Sequence, residues 1–299
     1  MYYYLHNKFY MDDIMQLLIE KELNSGDKIM KPDFNSKTGR ELLAFYLQTK
    51  FKQILAYDKR CESPIFKEVN PTFISRFTKR LINNPAKRFL IGITGESASG
   101  KSTMCREIKN IIEELSLPVS VLSTDNYFND ISDLIKKYGS FDNLTDNGYD
   151  IDAPESFQLD LLKRDLEALA DGFTIMAPRY IANGTGVSIP NALEVRSDKV
   201  VVVEGIATMY KDVKDVFDIK IYIETENDIR REIFIRRAKA ERNQNEENAL
   251  KQWEYLLKAG EKYVLPGRND ADFVIDGNSN LRYFDQILEY IHTITNNFQ

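Results

Sequence analysis

A doubly wound, mainly parallel α/β sheet preceded by an N-terminal helical extension is the fold class that the sequence predicts. Two observations lead to it. From Arg88 onward, runs of β-branched residues such as Val200–Val203 alternate with helical stretches, as in a parallel sheet covered on both faces. Before Arg88, apolar residues recur at helical spacing between glycines and prolines. We therefore divide the chain into an extension, residues 1–87, and an α/β domain, residues 88–299.

The extension is predicted to be helical with loops. Its two clearest helical segments are Asp12–Leu23 and Glu41–Leu55, and it contains no motif that indicates a chemical function. Residues 1–88 carry 16 Lys and Arg against 10 Asp and Glu, a net charge of +6, whereas residues 89–299 carry 24 against 36, a net charge of −12. Because the basic residues are scattered, they predict a solvated surface, and nucleic acid is not an expected partner.

The α/β domain opens with a β-α-β unit. A strand at Phe89–Ile93 is followed by a helix from about Lys101 to Leu115 and a second strand at Pro118–Ser123. Further strands are predicted at Val200–Gly205, Ile219–Glu224 and Asp272–Asp276. These strands are apolar along their whole length, which indicates burial on both faces.

Composition excludes several classes of protein. With 43% hydrophobic residues, the chain has enough apolar material for a globular core, which excludes disorder. Its two cysteines lack C-x-x-C spacing, which argues against a thiolate zinc site, and its two histidines lie near opposite ends, which argues against a histidine triad. No export signal or apolar run of about 20 residues is visible, so we expect a cytoplasmic protein without a membrane partner.

The strongest motif is G-E-S-A-S-G-K-S, Gly95–Ser102, directly after the first predicted strand. It matches the phosphate-loop pattern G-x-x-x-x-G-K-[ST] in full. Small residues let successive backbone N–H groups point at phosphates, Lys101 supplies a mobile cation, and the Ser102 hydroxyl suits Mg²⁺. The predicted nucleotide-binding residues of this segment are Gly95, Glu96, Ser97, Ala98, Ser99, Gly100, Lys101, Ser102 and Thr103.

Two carboxylates follow neighbouring strands. Asp125 comes after the second strand and Glu204 ends the Val200–Gly205 strand, so in a doubly wound sheet both reach the carboxyl edge beside the phosphate loop. One can hold Mg²⁺ and the other can accept the proton of an attacking hydroxyl. The N-K-x-D motif that GTPases use for guanine is absent. The pattern favours a kinase that uses Mg²⁺ with ATP or another nucleoside triphosphate.

Residues 89–295 resemble the uridine kinase and phosphoribulokinase group of P-loop kinases. The resemblance lies in an ordered series of segments, which is more specific than any one of them. After the phosphate loop these are S-T-D-N-Y-F (Ser123–Phe128), D-I-D-A-P-E-S-F (Asp150–Phe157), P-R-Y (Pro178–Tyr180), V-V-V-V-E-G (Val200–Gly205), R-R-A-K-A-E-R-N (Arg236–Asn243) and L-P-G-R-N-D-A-D-F-V-I (Leu265–Ile275).

The resemblance implies a P-loop kinase fold and a role for each matched residue. Asp125 would be the catalytic base, acting with Lys101, and Ser102 with Glu204 would form the magnesium site. Arg237 and Arg242 would close over the phosphates of the donor. Asp152, Tyr180 and Arg230 would bind the acceptor, with Asp152 contacting sugar hydroxyls and Tyr180 forming a wall of the pocket.

At two positions that bear on the acceptor, the sequence differs from the uridine kinase pattern. Ile181 and Thr185 stand where uridine kinases have the Asp and His of P-x-Y-D-F-x-x-H, and that His reads the pyrimidine. The polar segment between Phe128 and Tyr149 is longer than expected, and it is either a lid or an insertion. The extension is similar in layout to that of bacterial pantothenate kinase.

Three functions therefore stay open. The first is phosphorylation of a small-molecule hydroxyl acceptor, most simply a nucleoside. The second keeps the chemistry with another acceptor, such as pantothenate, a sugar phosphate or glycerate. The third is a catalytically silent nucleotide-binding regulatory protein, against which the joint presence of Lys101, Ser102, Asp125 and Glu204 argues. A homo-oligomer is compatible with all three.

Overall fold

A computed structural model of the chain describes residues 36–61, 64–84, 86–181, 183–242 and 245–278. The predicted helix Asp12–Leu23 lies outside these residues, whereas Glu41–Leu55 lies within an observed helix. The helices are α1 (Lys37–Asp58), α2 (Phe73–Asn83), α3 (Lys101–Glu114), α4 (Ser132–Tyr138), α5 (Phe141–Asp146), α6 (Leu159–Ala170), α7 (Asn227–Arg242) and α8 (Glu246–Ala259). The strands are β1 (Phe66–Val69), β2 (Phe89–Thr94), β3 (Val119–Ser123), β4 (Ile175–Tyr180), β5 (Ser188–Val195), β6 (Val200–Glu204), β7 (Ile219–Glu224) and β8 (Phe273–Asp276).

Six strands form the central sheet in the order β1-β8-β7-β2-β6-β3. The five strands from β8 to β3 are mutually parallel, and β1 pairs antiparallel with β8 at the edge. The predicted fold class is thereby confirmed, and each predicted strand agrees with an observed one to within one or two residues. None of the described helices has the length and apolar character needed to cross a bilayer.

Alternate side chains of the central strands point into two separate cores. Ile91 and Val202 belong to the core on one face, together with α1, α2 and α3. Leu90, Val201 and Val203 belong to the core on the other face, which α6 covers. All five side chains are completely buried. Burial on both faces explains why these strands are continuous apolar runs rather than alternating ones.

The described part of the extension packs directly on the sheet. The ring of Phe73 meets Phe273 of β8 at a centroid distance of 4.7 Å, and the ring of Phe77 lies 5.9 Å from Phe89 of β2. Phe51 of α1 contacts both extension rings. The extension therefore shares one hydrophobic core with the strands of the α/β domain.

The strand β1 and the antiparallel hairpin of β4 and β5 are not predicted from the sequence. Only four residues long, β1 owes its extended form to pairing with β8, more than 200 residues later in the chain. The hairpin is half-exposed, contains Pro178, and shifts register between Ala177 and Arg179. A short or irregular strand gives too few alternations for the period of two to be detected.

We expect Phe77→Ala to lower the free energy of unfolding by about 3–5 kcal/mol, because it empties an aromatic site that α1, α2 and β2 share. The matched control is Phe45→Ala on α1, where the ring is 57% exposed and the expected loss is below about 0.5 kcal/mol. Urea unfolding of both variants checks this. Equal stability of the two variants would show that the extension is not part of the domain core.

Candidate active site

The phosphate loop connects β2 to α3 and curls over the amino end of that helix. Gly95 has a φ angle of 147°, and a side chain there would collide with the Ile223 carbonyl and the Ser99 hydroxyl. Gly100, with a φ angle of 97°, stands immediately before the first residue of α3. These two glycines let the loop close tightly, which aims backbone N–H groups and the helix terminus at one point.

Lys101 is held by the loop itself. Its Nζ atom donates hydrogen bonds to the carbonyl oxygens of Gly95 and Glu96 at 2.8 and 3.0 Å. Burial lowers the pKa of Lys101 from its usual value, and the nearby carboxylates of Glu204 and Asp125 oppose that shift. The ammonium group is therefore stored beside the position that phosphates occupy in a loop of this kind.

Strand register brings the two predicted carboxylates to the loop. Glu204 of β6 is level with Ile93 of β2 on one side and with Ser123 of β3 on the other. The Ser102 hydroxyl donates a 3.2 Å hydrogen bond to Glu204 Oε2. Asp125 lies in the turn directly after β3, and Gly205 has no side chain that would keep this turn away from β6. The carboxyl ends of three strands thus form one polar cluster.

The electrostatics of the cluster are strongly perturbed. The Asp125 side chain is open to the cleft. Desolvation by the surrounding protein and the charge of Glu204 raise its pKa to about 6, and the charge of Lys101 opposes this shift. Burial raises the pKa of Asp152 to about 7, with Lys101 opposing and Asp150 and Asp125 adding to the shift. Shifts of this size on two carboxylates in one cleft are typical of functional sites.

These groups face a cleft of about 520 Å³. Lys101, Asp125 and Asp152 line it together with residues of α5 and α8. Large side chains form much of the lining, namely Phe128, Phe141, Ile151, Ile206, Phe234, Tyr255 and Leu256. The polar segment after Phe128, which the sequence left open as a lid or an insertion, forms α4 and α5 and supplies part of this lining.

Direct contacts join α8 to the segment of α5. Lys251 Nζ lies 2.8 Å from Asp146 Oδ2, and Gln252 donates to Asp142 Oδ1 at 3.1 Å. The Tyr255 hydroxyl donates to the Tyr149 carbonyl at 2.9 Å. Sequence reasoning missed these wall residues because no motif marks them. Their only signal is the helical periodicity of Glu246–Ala259.

A buried hydrogen bond holds the turn that carries Asp125. The Tyr127 hydroxyl donates a 2.9 Å hydrogen bond to Asp165 Oδ2, and both side chains are buried. Tyr210 similarly holds the backbone of Asp152 through a hydrogen bond to its carbonyl. Both carboxylates are thus presented on backbone segments fixed by buried tyrosines.

Other predicted site residues lie farther from the cleft. Tyr180 packs its ring 5.1 Å from Phe128 and so supports the cleft wall from behind. Thr103 is exposed in the first turn of α3, and Arg237 is exposed on α7. Arg242 ends α7, and its side chain lies outside the described part of the structure. Arg230 is completely buried beneath the phosphate loop.

The two residues that depart from the uridine kinase pattern lie in the connection between β4 and β5. Thr185 is exposed, and its hydroxyl donates to Asn183 Oδ1 at 2.6 Å. The Ile181 amide donates to the Val187 carbonyl at 2.9 Å. Both residues thus stabilise the hairpin connection.

Comparison with known proteins gives a family for this geometry. The model of the phosphoribulokinase / uridine kinase family matches residues 90–281. The chain belongs to that family. Uridine-cytidine kinase B of Dictyostelium discoideum is 31% identical over 206 residues, which cover 68% of this chain and 81% of that protein. Uridine kinase of Staphylococcus haemolyticus is 32% identical over 213 residues, covering 70% and 98%.

Structural comparison agrees at the level of the fold. A crystal structure described as a fructose transport system kinase from Silicibacter sp. TM1040 superposes with a TM-score of 0.53 at 22% identity. It covers 67% of this chain and 95% of that one. As a member of the phosphoribulokinase / uridine kinase family, the protein is an ATP-dependent kinase of a small-molecule acceptor.

The raised pKa of Asp152 predicts a stability that depends on pH. An aspartate in the unfolded chain titrates near 3.8, whereas Asp152 titrates at about 7 when folded. The folded state binds more protons between these values, so its stability falls as the pH rises from about 4 to 7. We expect Asp152→Asn to raise the melting temperature at pH 8 by about 2–4 °C, equivalent to about 1 kcal/mol, with little change at pH 3.5.

Asp160→Asn, at an exposed position on α6, is the control and should leave the melting temperature unchanged at both pH values. Thermal unfolding followed by circular dichroism measures both variants. A melting temperature of Asp152→Asn equal to that of the unaltered chain at pH 8 would show that the ionised carboxylate costs no stability.

Proposed function

We propose that this kinase phosphorylates a nucleoside, with uridine or cytidine as the acceptor. The observation that carries the proposal is a single cleft that combines a base candidate, Asp125, with a carboxylate for a diol, Asp152, and aromatic walls. The rings of Phe141 and Tyr255 suit a flat base, and Asp152 suits ribose hydroxyls. The names of the relatives above, uridine and uridine-cytidine kinases, support the same acceptor.

On the donor side, the phosphate loop and Lys101 would bind the phosphates of ATP. The Ser102 hydroxyl and the Glu204 carboxylate are hard oxygen donors in hydrogen-bond contact, which is the donor set that Mg²⁺ prefers. A Mg²⁺ ion held by these two residues would neutralise negative charge on the phosphates of the donor. Arg237 and Arg242, on the last turns of α7, would close over the phosphates.

On the acceptor side, Asp125 would take the proton of the attacking hydroxyl. With a pKa of about 6, it is ionised at neutral pH and remains a stronger base than an ordinary aspartate. Lys101 would exchange its hydrogen bonds to the loop carbonyls for the phosphoryl group and follow that group's charge as it moves. Tyr180 would act through Phe128 as a support of the acceptor wall.

The proposal extends to the whole chain. Residues 88–299 would form the kinase domain and residues 1–87 an N-terminal extension, whose described part packs on the sheet. The sequence has two cysteines, and they lack C-x-x-C spacing, which supports a site of action in a reducing compartment, the cytoplasm.

An acceptor panel tests this function. With ATP and Mg²⁺, we expect turnover of uridine or cytidine, and a kcat/KM for 2′-deoxyuridine lower by at least about 10-fold, since the missing hydroxyl leaves Asp152 unpaired. Asp152→Ala should remove this preference for ribose. Turnover of pantothenate, a sugar phosphate or glycerate instead would overturn the nucleoside assignment, and nucleotide binding without any turnover would favour a regulatory protein.

A second experiment isolates the base. We expect Asp125→Asn to lower kcat by about 10² to 10⁴, the usual contribution of general-base catalysis, with the affinity for ATP changed by only a few-fold. In the unaltered chain, kcat/KM should fall as the pH drops below about 6 because Asp125 becomes protonated. A parallel loss of ATP binding and turnover would indicate that Asp125 serves the metal or the fold.

A further inference from the structure

Arg230 on α7 contacts both the phosphate loop and α8. It lies in the first turns of α7, and no part of it is exposed. Its Nη1 atom lies 2.8 Å from Glu96 Oε2, and its Nε atom donates to the Ser97 carbonyl at 3.0 Å. Both partners belong to the phosphate loop, so the guanidinium group is joined to the loop by a charge and by a backbone contact.

The same guanidinium group also contacts α8. Its central carbon lies 5.3 Å from the ring centroid of Trp253, the only tryptophan of the chain. Trp253 is buried, while the neighbouring residues Gln252 and Tyr255 line the acceptor cleft. Arg230 therefore lies between the donor-binding loop and the helix that forms the acceptor wall.

We propose that Arg230 is a positioning residue that couples nucleotide binding at the phosphate loop to the position of α8. A change in the position of the phosphate loop moves the ion pair of Glu96 and Arg230. Because Arg230 contacts Trp253, this movement changes the position of α8, which lines the acceptor cleft. This assignment rests on the kinase function and differs from the expected role in acceptor binding, because Arg230 does not line the cleft in the described structure.

A physical step links a bound phosphate to this pair. Lys101 donates hydrogen bonds to the Gly95 and Glu96 carbonyls, and a triphosphate competes for the same ammonium group. When Lys101 turns to the phosphate, the Glu96 carbonyl keeps the hydrogen bond from the Ser99 N–H at 3.1 Å and loses the one from Lys101, so the residue is held less tightly and can shift. Its carboxylate carries Arg230 with it, since a buried charge does not readily leave its counter-ion.

Stability alone gives a weak reason for such a pair. Removing two charges from water costs free energy that their attraction only partly recovers, and apolar replacements of buried pairs are often as stable. One nitrogen of Arg230, Nη2, is buried without a hydrogen-bond partner among the described residues. The arrangement is consistent with a guanidinium that must change partners.

Fluorescence of Trp253 tests the proposal without knowledge of the acceptor. ATP with Mg²⁺ should change the emission of the unaltered chain, since cation and ring move relative to each other. In Glu96→Gln and Arg230→Lys the emission change should fall to less than about a third, and calorimetry should show an ATP dissociation constant raised by about 10-fold. Glu232→Gln, an exposed change on α7, is the control and should match the unaltered chain.

A double variant separates coupling from folding. Glu96→Gln with Arg230→Gln removes both charges, so it should unfold at a higher temperature than Arg230→Gln alone and still lack the emission change. Full emission change and unaltered ATP affinity in Glu96→Gln and in the double variant would overturn the coupling while leaving the kinase function intact. Failure of the unaltered chain to bind ATP would overturn both.

Discussion

The register of three parallel strands is the constraint on which the site depends. Glu204 stands level with the ends of β2 and β3, so the phosphate loop after β2, the carboxylate of β6 and the turn after β3 meet at one point. Because alternate side chains face opposite sides of a sheet, a slip of one residue in β6 would turn this carboxylate towards a hydrophobic core. The apolar runs that fill both cores fix the register, and therefore the packing of the sheet also determines the chemistry at its edge.

The charged side chains that line the cleft lower the stability of the folded protein and serve the chemical reaction. Glu204 disfavours the ionised form of Asp125, Asp125 does the same to Asp152, and Lys101 compensates only partly because it is itself desolvated. The free protein would gain stability by losing some of these carboxylates, and a divalent cation held by Ser102 and Glu204 would offset part of their repulsion. Active sites commonly carry such a cost. Buried hydrogen bonds from Tyr127 and Tyr210 hold the backbone at the two aspartates despite it.

Those parts of the molecule that local rules govern could be predicted from the sequence. A strand buried on both faces is a continuous apolar run, so β2, β6 and β7 could be predicted without a structure. A loop that binds phosphate needs glycines at fixed positions, so Gly95–Ser102 could be predicted as well. The strand β1 and the wall formed by α5 and α8 are not, because they arise from contacts between distant segments. Lys251 and Asp146 form a hydrogen bond although they are 105 residues apart in the chain, and neither their residue types nor their spacing predicts this contact. The contacts of Arg230 with Glu96 and Trp253 could not be predicted from the sequence either, because these residues come together only in the folded structure.

The strand β1 also sets an order of events during synthesis. Phe66 pairs with Ile275, so the edge of the sheet cannot close until the chain as far as β8 has left the ribosome. Until then the aromatic cluster of Phe51, Phe73 and Phe77 lacks Phe273, one of its partners, and the β1 edge has no neighbour. Such long-range closure slows folding and leaves apolar surface open to other chains. The nascent protein consequently exposes an apolar surface at β1 and the aromatic cluster, and the time of this exposure is the time needed to translate the residues between β1 and β8.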